Sequence, residues 1–228
     1  MRNLIHLTET DNSIAGNAIS FIDIDETTFN TFARIGVMKD GKKINSLSNQ
    51  EFNTYDLKPG ESFNFDEFRS SELFNKTSKP IDEMIKKIKK LIDCIKLHGK
   101  PEKVIFLTAR ADFDNKELFL KTFREHGIDV DIPNVHVERS GNLTNIKNVA
   151  DRKKFTILKY LKTGEFSAAR MYDDDNKNLQ TFSELGKEIN AGKYGILKAV
   201  QAKYPKVKKI LFFPLKVKED GKAVRVAA

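Results

Sequence analysis

Two aspartates spaced two residues apart follow an apolar segment near the start of the chain. Residues 18–22 read Ala-Ile-Ser-Phe-Ile, and Asp23 and Asp25 come directly after them. A short apolar run of this kind predicts a buried strand. Because side chains two apart point to the same side of a strand, we expect the two carboxylates to face one small volume beyond its carboxyl end. Two like charges that close require a cation or a shared proton.

An Asp-x-Asp pair alone is equally typical of an acidic turn, since aspartate is common where strands end. Further polar residues, however, follow later apolar runs. A threonine follows the run 104–107, a lysine pair opens an amphipathic segment, and a second group of carboxylates follows the run 168–172. These residues are Thr108, Lys153, Lys154, Asp173, Asp174, Asp175 and Asn178. Adjacent aspartates at a strand end repel one another, and Mg²⁺, a hard cation that prefers oxygen ligands, relieves that repulsion.

Together these features resemble, in sequence and in order, the four motifs of the haloacid dehalogenase superfamily, the aspartate-nucleophile phosphohydrolases. The resemblance covers about residues 18–185. The first motif is an apolar strand, then Asp-x-Asp-x-Thr, then apolar residues, and Thr28 departs from it by being polar. For the third motif Lys154 fits better than Lys153, because Lys154 precedes apolar helix positions by four and seven residues. The sequence leaves the choice between the two lysines open.

The resemblance implies a two-step phosphoryl transfer. Asp23 is the expected nucleophile and forms an aspartyl-phosphate. Asp25 is the expected acid and base, which protonates the leaving alcohol and then takes a proton from water. Because a leaving halide needs no proton, an acid at position 25 favours a phosphatase over a dehalogenase.

The resemblance also implies the groups that bind the substrate and the metal. Thr108 and Lys154 are expected to bind the phosphoryl oxygens and to act with the two aspartates in catalysis. Arg110 has two interpretations: it binds an anion of the substrate, or it merely caps the surface. Mg²⁺ is the expected cofactor, and its ligands would be Asp23, the main-chain carbonyl of Asp25, and Asp174.

The arrangement of apolar segments predicts the elements that bring these residues together. Strands are expected at 18–22, 103–107, 128–130, 135–137, 168–172 and 207–213. Helices are expected at 80–98, 112–126 and 176–190, and a further helix is expected to begin at Asp151, which would cap it. Alternating strands and helices predict an α/β fold, in which a Rossmann-like, mostly parallel sheet is sandwiched by helices. We expect one domain over residues 1–228, with a loosely held arm at 1–17 and a strand and hairpin extension at about 205–228.

An insert of about residues 30–79 separates the first two motifs. An Asp-Gly pair at Asp40 and Gly41 lies between apolar runs, which predicts a β-hairpin. In the superfamily a hairpin at this place is a flap over the active site. Six aromatic residues follow, and they are expected to form the small core of a lid more often than to stack on a ligand. These residues are Phe52, Tyr55, Phe63, Phe65, Phe68 and Phe74.

The composition restricts the class of protein. With 40 Lys plus Arg against 32 Asp plus Glu, the 228-residue chain carries a formal charge of +8, which favours anionic partners without naming one. A single cysteine, Cys94, excludes a disulfide framework. No apolar segment is long enough for a membrane span, and the first residues turn polar too soon for a signal peptide. We therefore expect a cytoplasmic protein without a membrane partner.

The substrate remains open at this point. The positive charge, the modest insert and its aromatics suit a polynucleotide end, and they suit a mononucleotide nearly as well. A different hypothesis is a catalytically silent binding or assembly module with this fold. The complete set of motif residues favours the enzyme, because a relic would be expected to lose at least one of them.

Overall fold

A computed structural model describes residues 16–52, 54–99 and 101–226. The strands are β1 Asn17–Ile22, β2 Phe29–Asn30, β3 Ile35–Lys39, β4 Lys42–Leu47, β5 Glu61–Asn64, β6 Lys79–Pro80, β7 Lys103–Thr108, β8 Val135–Arg139, β9 Phe166–Asp173, β10 Leu211–Val217 and β11 Ala223–Arg225. The helices are α1 Asn49–Phe52, α2 Ser71–Thr77, α3 Asp82–His98, α4 Lys116–Glu125, α5 Val149–Leu161, α6 Asn176–Asn190 and α7 Ile196–Lys203.

The central sheet has six strands in the order β11-β10-β9-β1-β7-β8. Every neighbouring pair from β10 to β8 is parallel, and only β11 pairs antiparallel, with β10. Parallel strands joined by helices are buried on both faces, which explains why β1, β7 and β9 are almost continuously apolar or small. The predicted α/β fold with a mostly parallel sheet flanked by helices is confirmed.

Alternate residues of the central strands pack into two separate cores. Ile22 and Phe106 belong to the core beneath α3 and α4, whereas Phe21 and Ile105 belong to the core beneath α5, α6 and α7. The period of two in a strand produces this division. The site residues that follow these strands are therefore anchored by apolar packing on both sides of the sheet.

The insert, residues 30–79, forms a small sheet of its own in the order β4-β3-β5. The predicted hairpin is confirmed: β3 and β4 are antiparallel and joined at Asp40 and Gly41, both with positive φ. Four of the insert's aromatics pack around Ile35, Val37 and Leu47, which is the small core expected from the sequence. These four are Phe52, Tyr55, Phe63 and Phe68. Phe74 instead lies on α2 and packs into the core of the main sheet.

Two predicted helix starts are wrong because other side chains cap the helices. α4 begins at Lys116 rather than near residue 112, since the side chain of Asn115 accepts a hydrogen bond from Leu118 N. α5 begins at Val149, since the side chain of Asn148 accepts from Ala150 N, so Asp151 lies inside the helix.

Two strand predictions also need correction. Residues 128–130 form no strand among the described residues, because the chain there closes α4, with Ile128 N bonded to the carbonyl of Phe123. The strand expected at 207–213 lies at Leu211–Val217, since the turn at Val207 and the bond from Ile210 N to Asn190 Oδ1 delay it. Helices α1, α2 and α7 were not predicted. The predicted arm at 1–17 lies almost wholly outside the described residues.

None of the helices in the described part of the chain has the length and apolarity needed to cross a membrane.

Replacement of Phe74 by alanine should destabilise the whole protein, because this ring ties the insert to the main core. Phe74 is 2% exposed and lies within ring contact of Phe29, Phe119 and Phe123. We expect Phe74→Ala to lower the free energy of unfolding by about 3–5 kcal/mol. Phe65→Ala is the control, since Phe65 is 44% exposed, and its effect should stay below about 1 kcal/mol. Urea unfolding followed by circular dichroism measures both, and equal losses would contradict the assignment.

Candidate active site

The residues singled out by the sequence lie at the carboxyl ends of three adjacent strands. β1, β7 and β9 end at Ile22, Thr108 and Asp173, and β1 lies between the other two in the sheet. In open α/β sheets, ligands bind beyond the carboxyl ends of the strands. The topology therefore brings the first, second and fourth motifs into one region, as expected.

A strained turn follows β1 and presents the two motif aspartates. Asp23 N donates to the carbonyl of Tyr172 at 2.9 Å, which extends the strand pairing by one residue. The chain then turns back, with Thr28 N donating to the carbonyl of Ile24 at 2.9 Å and Glu26 at a positive φ of 55°. The hydroxyl of Thr28 donates to the carbonyl of Asp23 at 2.6 Å. The polar residue at position 28 is thus buried and satisfied, and it holds the turn closed.

Three carboxylates converge at the ends of β1 and β9. Oxygen atoms of Asp23, Asp173 and Asp174 all lie within 4.8 Å of one another. Asp173 is fully buried, and Asp23 is 8% exposed. The ammonium of Lys153 lies 2.9 Å from Asp23 Oδ1 and 2.8 Å from Asp173 Oδ2. When ionised, the cluster therefore holds three negative charges against one positive charge.

This excess of negative charge changes the protonation of the cluster. Burial raises the pKa of the Asp23 carboxyl well above its usual range, and the neighbouring carboxylates add to the rise although Lys153 opposes it. Burial, together with the charge of Asp173, raises the pKa of Asp174 to about 6. Burial acts to lower the pKa of Lys153, but the carboxylates of Asp173 and Asp23 outweigh it and raise the pKa, so this lysine stays charged. The single positive charge of Lys153 does not balance the three carboxylates, and the pKa values of Asp23 and Asp174 rise as a result.

The cluster fits a divalent cation. Asp23 Oδ1 is buried and has no hydrogen-bond partner among the described residues, although the ammonium of Lys153 lies 2.9 Å away. The side chain of Asp174 accepts a long hydrogen bond of 3.3 Å from the hydroxyl of Thr27. Carboxylate oxygens are the ligands that Mg²⁺ prefers. Asp23, Asp173 and Asp174 are consequently the residues that would hold such an ion.

The remaining residues of the fourth motif have structural roles. Asn178 donates its amide to both carboxylate oxygens of Asp173, at 3.0 and 3.1 Å. Asp175 caps α6 by accepting from Lys177 N at 2.7 Å. Asp175 therefore lies outside the carboxylate cluster. Of the three adjacent aspartates, Asp173 and Asp174 belong to the cluster and Asp175 caps the helix.

The structure places Lys153, and not Lys154, beside Asp23. Lys153 is 2% exposed and contacts two carboxylates of the cluster. Lys154 points to the neighbouring helix and pairs with Glu188 at 2.8 Å. Successive residues of a helix point about 100° apart, so only one of the pair can face the sheet edge. The placement of Lys154 in the site was wrong.

Asp25 lies apart from the carboxylate cluster and is bound by a different set of groups. Arg110 Nη2 donates to Asp25 Oδ1 at 2.6 Å, and Arg110 Nε lies 3.1 Å from both oxygens. The hydroxyl of Thr31 donates to Oδ1 at 2.7 Å, and that of Thr108 lies 3.4 Å from Oδ2. Burial alone would raise the pKa of Asp25, but the Arg110 guanidinium outweighs it and holds the pKa below its usual value.

Arg110 is neither a surface cap nor a free anion-binding group, and both of its predicted roles are corrected. Its side chain is 2% exposed and paired with Asp25. The carboxylate of Asp25 is likewise not among the three converging carboxylates, where Asp173 takes the third place. The sequence named both lysines and favoured Lys154, whereas the structure places Lys153 beside Asp23. Sequence reasoning missed Asp173 as a cluster member and Thr31 as a partner of Asp25. The polar type of Thr31 was the one available signal for that last contact.

A cavity of about 730 Å³ opens beside Asp174 and Glu26. One wall is the start of the insert, residues 30–34, with Phe32 half exposed. Residues 216–219 at the end of β10 also line the cavity, and they include Lys216 and Lys218. The C-terminal extension therefore contributes to this cavity. Its size is within the range of small-molecule sites.

Lys153→Met should be far more destabilising than Lys154→Met. Removal of the buried ammonium leaves Asp23 and Asp173 without their cation, which we expect to lower the free energy of unfolding by about 3–5 kcal/mol. The ion pair of Lys154 with Glu188 is partly exposed, so its loss should stay below about 1 kcal/mol. Urea unfolding in EDTA measures both variants, and a larger loss for Lys154→Met would contradict the placement of these lysines.

Asp174→Asn should stabilise the metal-free protein at pH 7.5 and abolish its stabilisation by Mg²⁺. The pKa of Asp174 is about 6 in the folded protein against 3.8 for an unperturbed aspartate. The folded state therefore binds the proton more tightly, and the stability gained below pH 4 is lost as the pH rises through 6. The free energy of unfolding that this carboxyl costs at pH 7.5 is at most about 3 kcal/mol. Solvent screening makes the cost smaller.

The measurement is the melting temperature in EDTA at pH 5 and pH 7.5, and then at pH 7.5 with excess Mg²⁺. Compared with Asp174→Asn, the wild-type protein should lose more stability on going from pH 5 to pH 7.5 in EDTA, and it alone should regain stability with Mg²⁺. Asp175→Asn is the matched control, since Asp175 is the helix cap beside the cluster. An equal response of wild type and Asp174→Asn would remove Asp174 from the metal site.

Comparison with known proteins gives no match to this chain. No family model, no curated protein and no solved structure matches it. The resemblance to the haloacid dehalogenase superfamily therefore stays a prediction from the motif residues.

Proposed function

We propose that the protein is a Mg²⁺-dependent phosphomonoester hydrolase that works through an aspartyl-phosphate on Asp23. One observation carries the proposal: Asp23 projects from the end of the central strand β1 into a cluster with Asp173, Asp174 and Lys153. A carboxylate nucleophile, a cation site and a buried ammonium are what transfer of a dianionic phosphoryl group requires.

In the first step, an Asp23 carboxylate oxygen attacks phosphorus, and the bond from phosphorus to the leaving oxygen breaks. The leaving oxygen takes a proton from Asp25 and departs as an alcohol. That proton enters with the substrate: a phosphomonoester, whose second pKa is about 6, binds as its monoanion and passes its proton to Asp25, which leaves the phosphoryl group dianionic. Asp25 is then a carboxylate again, which is the form that its pairing with Arg110 favours.

In the second step, Asp25 takes a proton from a water molecule whose oxygen attacks phosphorus. The bond from phosphorus to Asp23 breaks, so that the carboxylate of Asp23 is restored, and the departing phosphate takes the proton from Asp25. The lowered pKa of Asp25 keeps this group ionised, which is the form that can accept a proton from water. Bound Mg²⁺ would supply charge stabilisation for the phosphoryl oxygens.

Lys153 and Thr108 serve the transferring group from opposite sides of Asp23. Lys153 is held by Asp173 and keeps a positive charge beside the nucleophile. The hydroxyl of Thr108 is buried at the end of β7, where it lies 3.4 Å from Asp25 and accepts a hydrogen bond from Arg110 N. Both groups are fixed before the substrate arrives, which is the condition for electrostatic catalysis.

The cavity beside Asp174 supports a nucleotide or a polynucleotide end as the substrate. Phe32 offers an exposed aromatic face, and Lys216 and Lys218 in the lining offer positive charge. Glu26 and Asp174, which also line the cavity, repel an anion that arrives without a metal ion. These features suit a phosphorylated group with an aromatic ring.

The test of this proposal is phosphate release from an aryl phosphate, with and without Mg²⁺. Wild-type protein should turn over only with Mg²⁺, and Asp23→Asn should lose at least about 10³-fold, because no covalent intermediate forms. Lys154→Met should retain most of the activity, since its side chain faces Glu188. Turnover by Asp23→Asn at the wild-type rate would refute the nucleophile. Wild-type protein that lacks turnover on aryl phosphate and on a mononucleotide would favour a binding module.

A further inference from the structure

The guanidinium of Arg110 is buried between the insert and the site. Three phenylalanine rings surround it, with centroids 4.8 Å (Phe68), 5.0 Å (Phe74) and 6.0 Å (Phe113) from its central carbon. Its Nη1 donates to the carbonyl of Phe68 at 3.0 Å. The planar fork of an arginine suits both kinds of contact, stacking on rings and paired donation to a carboxylate.

The other face of this guanidinium determines the orientation of Asp25. Nε and Nη2 bind the carboxylate together, and Thr31 approaches the same oxygen as Nη2 from the turn after β2. Donors from two other chain segments thus act on one carboxylate, whose side chain is 18% exposed. Asp25 is held in one orientation before any ligand is present.

The insert reaches Arg110 through the short segment 66–69. Phe68 packs in the core of the insert, with Phe65 as a ring neighbour at 6.2 Å. The carbonyl of Arg69 accepts from Asp114 N at 3.0 Å, which anchors the segment on the loop after β7. A continuous series of contacts therefore joins the insert core, Phe68, Arg110 and Asp25.

A purely structural role does not require this arrangement. An ion pair in an apolar surrounding contributes little net stability, because desolvation of both charges opposes their attraction. An apolar pair of similar volume would pack against the same rings at least as well. What the ion pair adds is the fixed direction of a carboxylate next to the nucleophile.

We propose that Arg110 is a positioning residue that holds Asp25 in its working orientation, and that the docking of Phe68 on Arg110 couples this orientation to the insert. The inference rests on the proposed function, since it assigns Arg110 to the step in which Asp25 activates water. Attack by Asp23 on phosphorus does not depend on the orientation of Asp25 when the leaving group is an aryl oxide, because such a group leaves without a proton. Hydrolysis of the aspartyl-phosphate does depend on the orientation of Asp25.

The experiment is rapid-mixing kinetics with an aryl phosphate and Mg²⁺, in wild type, Asp25→Asn, Arg110→Gln and the double variant. Arg110→Gln should release about one equivalent of aryl alcohol per protein at nearly the wild-type rate. Its steady rate should then fall about 100-fold, and phosphorylated Asp23 should accumulate in the mass spectrum. Asp25→Asn should behave in the same way, and the double variant should be no slower than Asp25→Asn.

A general loss of structure gives a different result. If the initial release and the steady rate fell together, or if the two single effects multiplied in the double variant, the positioning role would be overturned. Arg139→Gln is the matched control, because Arg139 pairs with Asp112 near the same edge without contacting Asp25; it should keep both phases. Arg110→Lys retains the buried charge without the fork and replaces Arg110→Gln if the latter does not fold.

Hydrogen exchange tests the coupling without any turnover. Arg110→Gln should raise the amide exchange of residues 66–69 and 25–31 at least several-fold, while exchange in α6 stays unchanged. Unchanged amide exchange at residues 66–69 would contradict the coupling between Arg110 and the insert, even if the enzyme is active. A silent wild-type protein would remove the proposed function, and with it the role of Arg110 in hydrolysis, whatever the exchange shows.

Discussion

The ammonium of Lys153 is the interaction on which the site depends. It lies between Asp23 and Asp173, which end the adjacent strands β1 and β9. Without this charge, two buried carboxylates would face each other across neighbouring strands, and that repulsion is not screened by water. Lys153 reaches these carboxylates because it lies on the buried face of α5, together with Ala150 and Ile157. The charge balance of the site therefore depends both on the packing of α5 and on the pairing of β1 with β9.

The sheet was predictable because its strands carry their own signal. Buried parallel strands are continuous apolar runs, and the polar residue after each run indicated the sheet edge. The choice between Lys153 and Lys154 was not predictable, because the spacing of the apolar residues does not fix the rotation of the helix about its axis to within one residue. Only the packing of α5 on the sheet decides which lysine faces Asp23. The helix cap was misplaced separately, at Asp151 instead of Asn148.

The role of Arg110 shows a second limit of sequence reasoning. Its partner Asp25 lies 85 residues earlier in the chain, and two of the rings that stack on it, Phe68 and Phe74, belong to the insert. No local pattern indicates such a contact, and an arginine after a strand is usually exposed. The insert aromatics were expected to form one small core. They divide instead between that core and the main core, and Arg110 lies where the two parts meet.

The two halves of the site differ in their charge balance, and this difference has a chemical meaning. Asp25 is fully compensated by Arg110 and is held as a carboxylate in the free protein. The cluster that includes Asp174 is under-compensated, since Lys153 is the cation that contacts it among the described residues. A divalent cation would correct the second half and leave the first unchanged. Under the proposed function, the group that handles protons is thus separate from the groups that would hold the metal, so that binding of the ion would adjust the charge around Asp23 without disturbing Asp25.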